Sequence, residues 1–224
     1  MQNAMGFNLH ITRSSFIRIK GIRITAPAKS PNTDGIHISR SNNCKIVNTF
    51  IGTGDDCISL GQGVVDLSVF KVICGPGHGI SVGSLGKYKQ EEDVRGFTVT
   101  NCTLMGTTNG LRIKTWPGSD PSKASNIVFK NILMRNVENP IIIDQSYGDG
   151  DPPSRVQISD IVFENIIGTT TTPVAVNLMC SKRVPCYNVQ LNNVQLRTTN
   201  GKAISSFCSD AKVGYGGMQS PHPC

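Results

Sequence analysis

Apolar and polar residues alternate along the chain in short bursts of about five positions. The bursts recur at FIRIKGIRITAP (16–27), CKIVNTFIGT (44–53), LSVFKVICGPG (67–77) and FTVTNCTLMGT (97–107), then at NIVFKNILMRN (126–136), DIVFENIIGTT (160–170) and NVQLNNVQLRT (188–198). Period-two alternation predicts strands with one buried face. Most bursts break at an Asn and resume with a second short apolar pair; the breaks fall at Asn48, Asn101, Asn131, Asn165 and Asn193. Units about 22 to 35 residues apart lie in the range of solenoid repeats. Two or three short strands closed by polar turns make one coil of a right-handed, single-stranded parallel β-helix. Coils stack at ~4.8 Å. The Asn positions predict an inward-facing ladder that satisfies its own amides along the stack. A β-sandwich is the competing all-β architecture, but it offers no reason to repeat an Asn at a fixed offset. No linker interrupts residues 1–224, which read as one domain ending in a turn-rich tail, Gly214–Cys224.

Composition supports strands. Ile, Val, Thr, Phe and Tyr supply 70 residues against 21 for Ala, Leu and Glu, which excludes an all-α fold. No apolar run approaches the ~20 residues of a membrane-spanning helix. The formal charge of +7 favours polyanions. The basic residues are scattered, and one Trp and four Tyr give few platforms for bases, so nucleic acid is disfavoured. Eight cysteines with no CxxC pair point to disulfides and export rather than structural zinc. Residues 1–20 lack the order of a signal peptide, which suggests an incomplete N-terminus.

In a β-helix, residues one coil apart in sequence are neighbours in space. Asp34 precedes Asp55 and Asp56 by 21 and 22 residues, and His78 follows Asp56 by 22. Arg112 and Lys114 lie one longer coil on, and Tyr147 another. Each motif alone has an ordinary reading: DD and NTDG as turns, GHG as a loop, R-x-K as a solvated strand face. Their joint spacing places them along one face. Clustered carboxylates repel, which keeps a proton on one of them. Glycoside hydrolysis needs that combination of acid and base. Arg112 and Lys114 point the same way and would grip a sugar carboxylate.

NTD (32–34), GDD (54–56), GHG (77–79) and RIK (112–114), in that order, resemble the four motifs of polygalacturonases, the pectin-hydrolysing glycosidases. CGPGHGISVGSLG (74–86) and TNGLRIKTW (108–116) are similar to the plant members. The resemblance implies a parallel β-helix, a polygalacturonate substrate, no metal or other cofactor, secretion to the cell wall, and inversion at the anomeric carbon. It implies Asp55 as general acid, Asp34 and Asp56 as the pair activating water, and His78 as support for the acid. Asn32, Arg112, Lys114 and Tyr147 become substrate contacts. Similarity to pollen-type sequences favours the exo mode over the endo. One point pulls the other way: carboxylates stacked one coil apart lie ~5 Å apart, a separation associated with retention.

The family carries several coils before the NTD motif, whereas one precedes it here. That short front keeps a truncated, inactive pectin-binding or allergen-like wall protein as the alternative function, which the intact Asp trio opposes; a calcium-dependent lyase on the same fold is a second alternative, opposed by the NTD, GDD, GHG and RIK set. A monomer is the default. Cys57 and Cys74 sit on adjacent coils beside the Asp pair, and the resemblance supports their bridge. Cys180 pairs with Cys186 across a short loop, and Cys208 with Cys224 to hold the tail. Repeat alignment puts Cys44 and Cys102 two coils apart, ~9.6 Å, too far to bond. The sole Asn-X-Ser/Thr sequon, Asn101-Cys102-Thr103, belongs to the inward ladder and is expected to be unmodified.

Overall fold

The computed structural model describes residues 1–148 and 150–224. They form a parallel β-solenoid with no helix among the described residues. One sheet stacks eight strands: Leu9–Thr12, Ile36–Ser39, Ile58–Leu60, Ile80–Leu85, Asn109–Thr115, Asn139–Asp144, Val174–Met179 and Ser205–Ser209. This is the cleft sheet. An eleven-stranded sheet forms the back. Its longer strands, such as Val94–Met105 and Ser122–Val137, bend partway and serve two walls of the coil.

Register explains the apolar spacing. Ile36, Ile58, Ile80, Leu111, Ile141 and Val176 form one inward column, and Ile38, Leu60, Val82, Ile113, Ile143 and Leu178 the next. All twelve are buried. Between them runs an outward column facing the cleft: His10, His37, Ser59, Ser81, Arg112 and Ile142. Identical steps of 22 residues between His37, Ser59 and Ser81 keep that column in phase.

The Asn ladder exists, but it faces solvent. Asn131 Nδ2 donates to Asn101 Oδ1 at 3.0 Å, Asn165 to Asn131 at 2.9 Å and Asn193 to Asn165 at 3.2 Å. Each of these four residues is left-handed, with φ between 53° and 56°. That conformation bends the strand and resets the alternation, so Phe97 and Val99 point inward before the bend and Cys102 and Leu104 after it, while Asn101 is exposed. The expected inward orientation does not hold, because the left-handed bend turns the Asn101 side chain to solvent while Val99 and Cys102 on either side face inward. Lys71 holds the same position one coil before Asn101 and separates Asn48 from the ladder. A second left-handed column, Phe16, Asn43, Asp66, Gly96, Asn126, Asp160 and Asn188, marks the entry to each back strand.

Asn101 tops the ladder, so its Nδ2 makes no hydrogen bond to another described residue. The steric reason for expecting it unmodified is gone. Expression through a secretory pathway is expected to give an N-glycan at Asn101, read as a mass shift removed by amidase treatment; a fully unmodified peptide would contradict the exposed placement.

Three disulfides close the coil walls: Cys57–Cys74, Cys180–Cys186 and Cys208–Cys224, with Cα separations of 5.9, 5.7 and 5.8 Å. Cys44 and Cys102 are buried free thiols, as repeat alignment requires. Part of the tail differs from expectation. Ala211–Ser220 is a strand paired on Cys186–Thr198, and it closes the C-terminal end of the back sheet.

Candidate active site

Asp34, Asp56 and His78 each sit just before a cleft-sheet strand, at the corner where the coil enters that sheet. Backbone bonds lock successive corners together: Gly35 N–H donates to the Asp56 carbonyl at 2.8 Å, Cys57 N–H to Gly79 at 2.8 Å, and His78 N–H to Asp55 at 2.9 Å. Gly79 makes this closeness possible. Its φ is +85°, and a Cβ there would lie 2.1 Å from the Asn109 carbonyl.

Two of the carboxylates receive a hydroxyl from a serine on the next coil. Ser59 donates to Asp34 Oδ2 at 2.6 Å and Ser81 to Asp56 Oδ1 at 2.7 Å. Asp55 instead uses Oδ1 to meet the His78 ring (3.0 Å) and the Asp56 N–H (2.7 Å), which leaves Oδ2 without a protein partner among the described residues. Arg112 and Lys114 both bind Asp56, at 2.8 and 2.9 Å. The Asp56 side chain is 2% exposed, so its negative charge is balanced inside the protein. Tyr147 lies beneath the cations, with Lys114 Nζ 5.1 Å from the ring centre and Trp116 edge-on at 5.3 Å.

A cleft of about 770 Å³ spans these groups. Asn32, with φ of 55°, forms part of its wall, and Phe7, His10 and His37 close one end. Lys87, Tyr88 and Lys89 line another side. The buried Glu91 carboxylate holds their loop by accepting the Gly86 N–H (2.7 Å) and the Tyr88 N–H (3.0 Å). Asp55, Asp56 and His78 present ligand-type atoms within 4.8 Å of one another. Two cations already occupy the Asp56 oxygens, so this donor set is a poor fit to a metal ion.

Burial pushes Asp34 from its ordinary 3.8 up to about 6, against the Ser59 hydrogen bond and with the Asp56 and Asp55 charges adding to the rise. Burial also raises Asp55, but hydrogen bonds from His78 and the Asp56 N–H outweigh it and hold Asp55 below the usual carboxylate range. The Asp55 hydrogen bond raises His78 in return. His37 is lowered by burial and by His10, from 6.5 to about 4.

These shifts act on stability in opposite directions. Asp34 has a raised folded value, so its contribution is present below pH 3.8 and is lost as pH rises through about 6. His37 has a depressed value, so the unfolded chain binds more protons between pH 4 and 6.5 and stability rises with pH there. The two slopes largely offset. Asp34→Asn is therefore expected to steepen the rise of Tm with pH over this window. Parallel Tm curves for the two proteins would refute the opposition.

The family model for "Glycosyl hydrolases family 28" matches residues 1–217. The chain belongs to this family. It is 51% identical to the Arabidopsis thaliana exopolygalacturonase clone GBGE184, over 99% of this chain and 55% of that protein. It is 45% identical to an exopolygalacturonase of Platanus acerifolia, over 98% and 60%. The chain thus spans between half and two thirds of the length of these relatives. Among solved structures it resembles the polygalacturonase of Erwinia carotovora, with TM-score 0.80 and 26% identity over 95% of this chain and 55% of that one. It also resembles endopolygalacturonase I of Stereum purpureum in complex with two galacturonates, with TM-score 0.69 and 25% identity over 90% and 61%.

Within this family 28 chain, the seven residues singled out from spacing gather in one place with Asn32, which the resemblance added. Asn32, Asp34, Asp55, Asp56, Lys114 and Tyr147 line the cleft, and His78 and Arg112 bond directly to its carboxylates. Spacing overlooked Ser59, Ser81 and His37. Their signal was present as a polar column three residues after Asp34, Asp56 and His78, stepping with the same 22-residue period. Spacing also left Arg112 and Lys114 free for substrate, whereas here they hold Asp56.

Proposed function

We propose that the chain carries the catalytic portion of a secreted polygalacturonase that hydrolyses α-1,4-galacturonosyl linkages with inversion. The observation that carries this reading is the Asp34–Asp55–Asp56–His78 cluster at the foot of a cleft backed by two cations. Asp55 is the general acid. Its Oδ2 is open to the cleft, while Oδ1 is anchored by His78. Substrate displaces water from the cleft and strips solvation from the Asp55–His78 ion pair, which favours the neutral pair of carboxylic acid and imidazole. Asp34 and Asp56 hold the attacking water between them, and Asp34 takes its proton. Arg112, Lys114 and Tyr147 form the floor under a galacturonate carboxylate, with Asn32 at the wall. The exopolygalacturonase names of the relatives support release of single galacturonate residues from one chain end.

The test is reducing-sugar release from polygalacturonate by the purified chain, with proton NMR of the nascent product. The β-anomer appearing first as galacturonate monomer supports the reading. An α-anomer refutes inversion, oligomers refute the exo mode, and binding without release makes the chain a pectin-binding wall protein.

A further inference from the structure

The two serines that serve the carboxylates differ in what stands behind them. Ser81 accepts from Arg112 Nε at 3.0 Å, and a guanidinium can only donate. The Ser81 hydroxyl must therefore always point at Asp56. Ser59 has His37 Nδ1 behind it at 2.8 Å, and a neutral imidazole nitrogen can donate or accept. Ser59 is 2% exposed, so its hydroxyl is shared between Asp34 Oδ2 and His37 Nδ1 rather than with water. The other His37 nitrogen, Nε2, makes no hydrogen bond to a described residue, and His37 lines the cleft. Phe7 stacks on the ring at 4.8 Å and 15° and fixes its plane.

We propose that Asp34, Ser59 and His37 form a reversible proton wire that connects the Asp34 carboxylate to the cleft through His37 Nε2. With Asp34 ionised, Ser59 donates to Asp34, His37 Nδ1–H donates to Ser59, and Nε2 carries a lone pair. With Asp34 protonated, its O–H donates to Ser59, Ser59 donates to Nδ1, and Nε2 carries the hydrogen. One state converts to the other by three transfers. The Asp34 proton moves to Ser59 Oγ, the Ser59 hydrogen moves to His37 Nδ1, and the Nε2 hydrogen leaves to a water in the cleft. One proton leaves Asp34 and one enters solvent; Ser59 ends with one hydrogen as before.

His37 is a positioning and relay residue. Its depressed basicity keeps the ring neutral while Asp34 titrates, which a reversible wire requires. The charged and titratable groups that act on the wire are His10 from the preceding coil, Asp55 and Asp56 beside Asp34, and Lys114 from further along the cleft. The wire's use rests on the reading of Asp34 as the group that takes the proton of the attacking water. It then returns that proton to solvent without passing through the bound sugar.

The test needs no substrate, so its failure and the failure of the proposed reaction are separable. Histidine is labelled with ¹⁵N and aspartate carboxyl with ¹³C, and both are followed by NMR through the titration of Asp34. The expected result is a His37 tautomer that switches from Nε2–H to Nδ1–H as Asp34 ionises, with one shared midpoint near pH 6. Ser59→Ala is expected to abolish the switch, and Ser59→Thr, which keeps a hydroxyl, to retain it. A single His37 tautomer throughout the Asp34 titration of the unaltered protein overturns the wire, whether or not Ser59→Ala folds. A switch that persists in folded Ser59→Ala overturns it equally.

Discussion

Asp55→Asn is expected to lower turnover on polygalacturonate by roughly 10²–10⁴-fold while leaving affinity for the polymer nearly unchanged. The amide keeps the shape of the carboxyl, and its oxygen can still accept from His78 and from the Asp56 N–H, as Oδ1 does now at 3.0 and 2.7 Å. What it lacks is a transferable proton on the atom that faces the cleft. Asp34→Asn removes a different function, since its Oδ2 is covered by Ser59 rather than open. The two variants are therefore distinguishable by pH. On the proposed roles, Asp55→Asn loses the acid whatever the pH, whereas the acid limb of the unaltered protein is expected to follow Asp34, which has to be ionised to take a proton from water. That limb is expected near pH 6 from the raised Asp34 value. The decisive measurement is kcat together with equilibrium binding of galacturonan. Turnover within a few-fold of the unaltered protein, in a folded Asp55→Asn variant, would remove Asp55 from the proton transfer.

Solenoid geometry is why so much of this site was legible beforehand. A coil of near-constant length converts sequence offset into spatial adjacency, so Asp34, Asp56 and His78 could be stacked on paper. The same alignment separated Cys44 from Cys102 by two coils. Backbone φ was not legible. Nothing in an alternating pattern says that Asn101 is left-handed, and one such residue inverts the facing of everything after it. The strand Ala211–Ser220 was hidden because GYGGMQS offers little alternation to read; it forms because the exposed edge of Cys186–Thr198 supplies partners. Spacing also cannot tell which partner a long side chain chooses. Arg112 and Lys114 are 56 and 58 residues from Asp56, and only the folded cleft shows that they converge on it.

That convergence gives the second large effect, Lys114→Met. The Lys114 and Asp56 side chains are 8% and 2% exposed, so their pairing is nearly out of reach of solvent screening. Breaking a buried pair from one side commonly destabilises by roughly 3–5 kcal/mol, because the remaining charge stays buried. Here Arg112 and Ser81 still hold Asp56, which places the expected loss at the lower end, about 3 kcal/mol, or a Tm fall of roughly 6–12 °C. The catalytic consequence is separate. Two cations facing one carboxylate leave a net positive charge at the cleft floor, available to a galacturonate carboxylate. A charged hydrogen bond is worth about 1.5–3 kcal/mol, so methyl-esterified polymer is expected to be used roughly 10- to 100-fold less well than free polymer. With Lys114 gone, Arg112 and Asp56 cancel, and that preference should shrink towards unity, along with the salt sensitivity of KM. Measuring kcat/KM on free and fully esterified substrate, for both proteins and at two salt concentrations, separates the roles. A variant that loses Tm but keeps its preference for free polymer would mean that Lys114 serves Asp56 alone and that the sugar carboxylate is held elsewhere in the cleft.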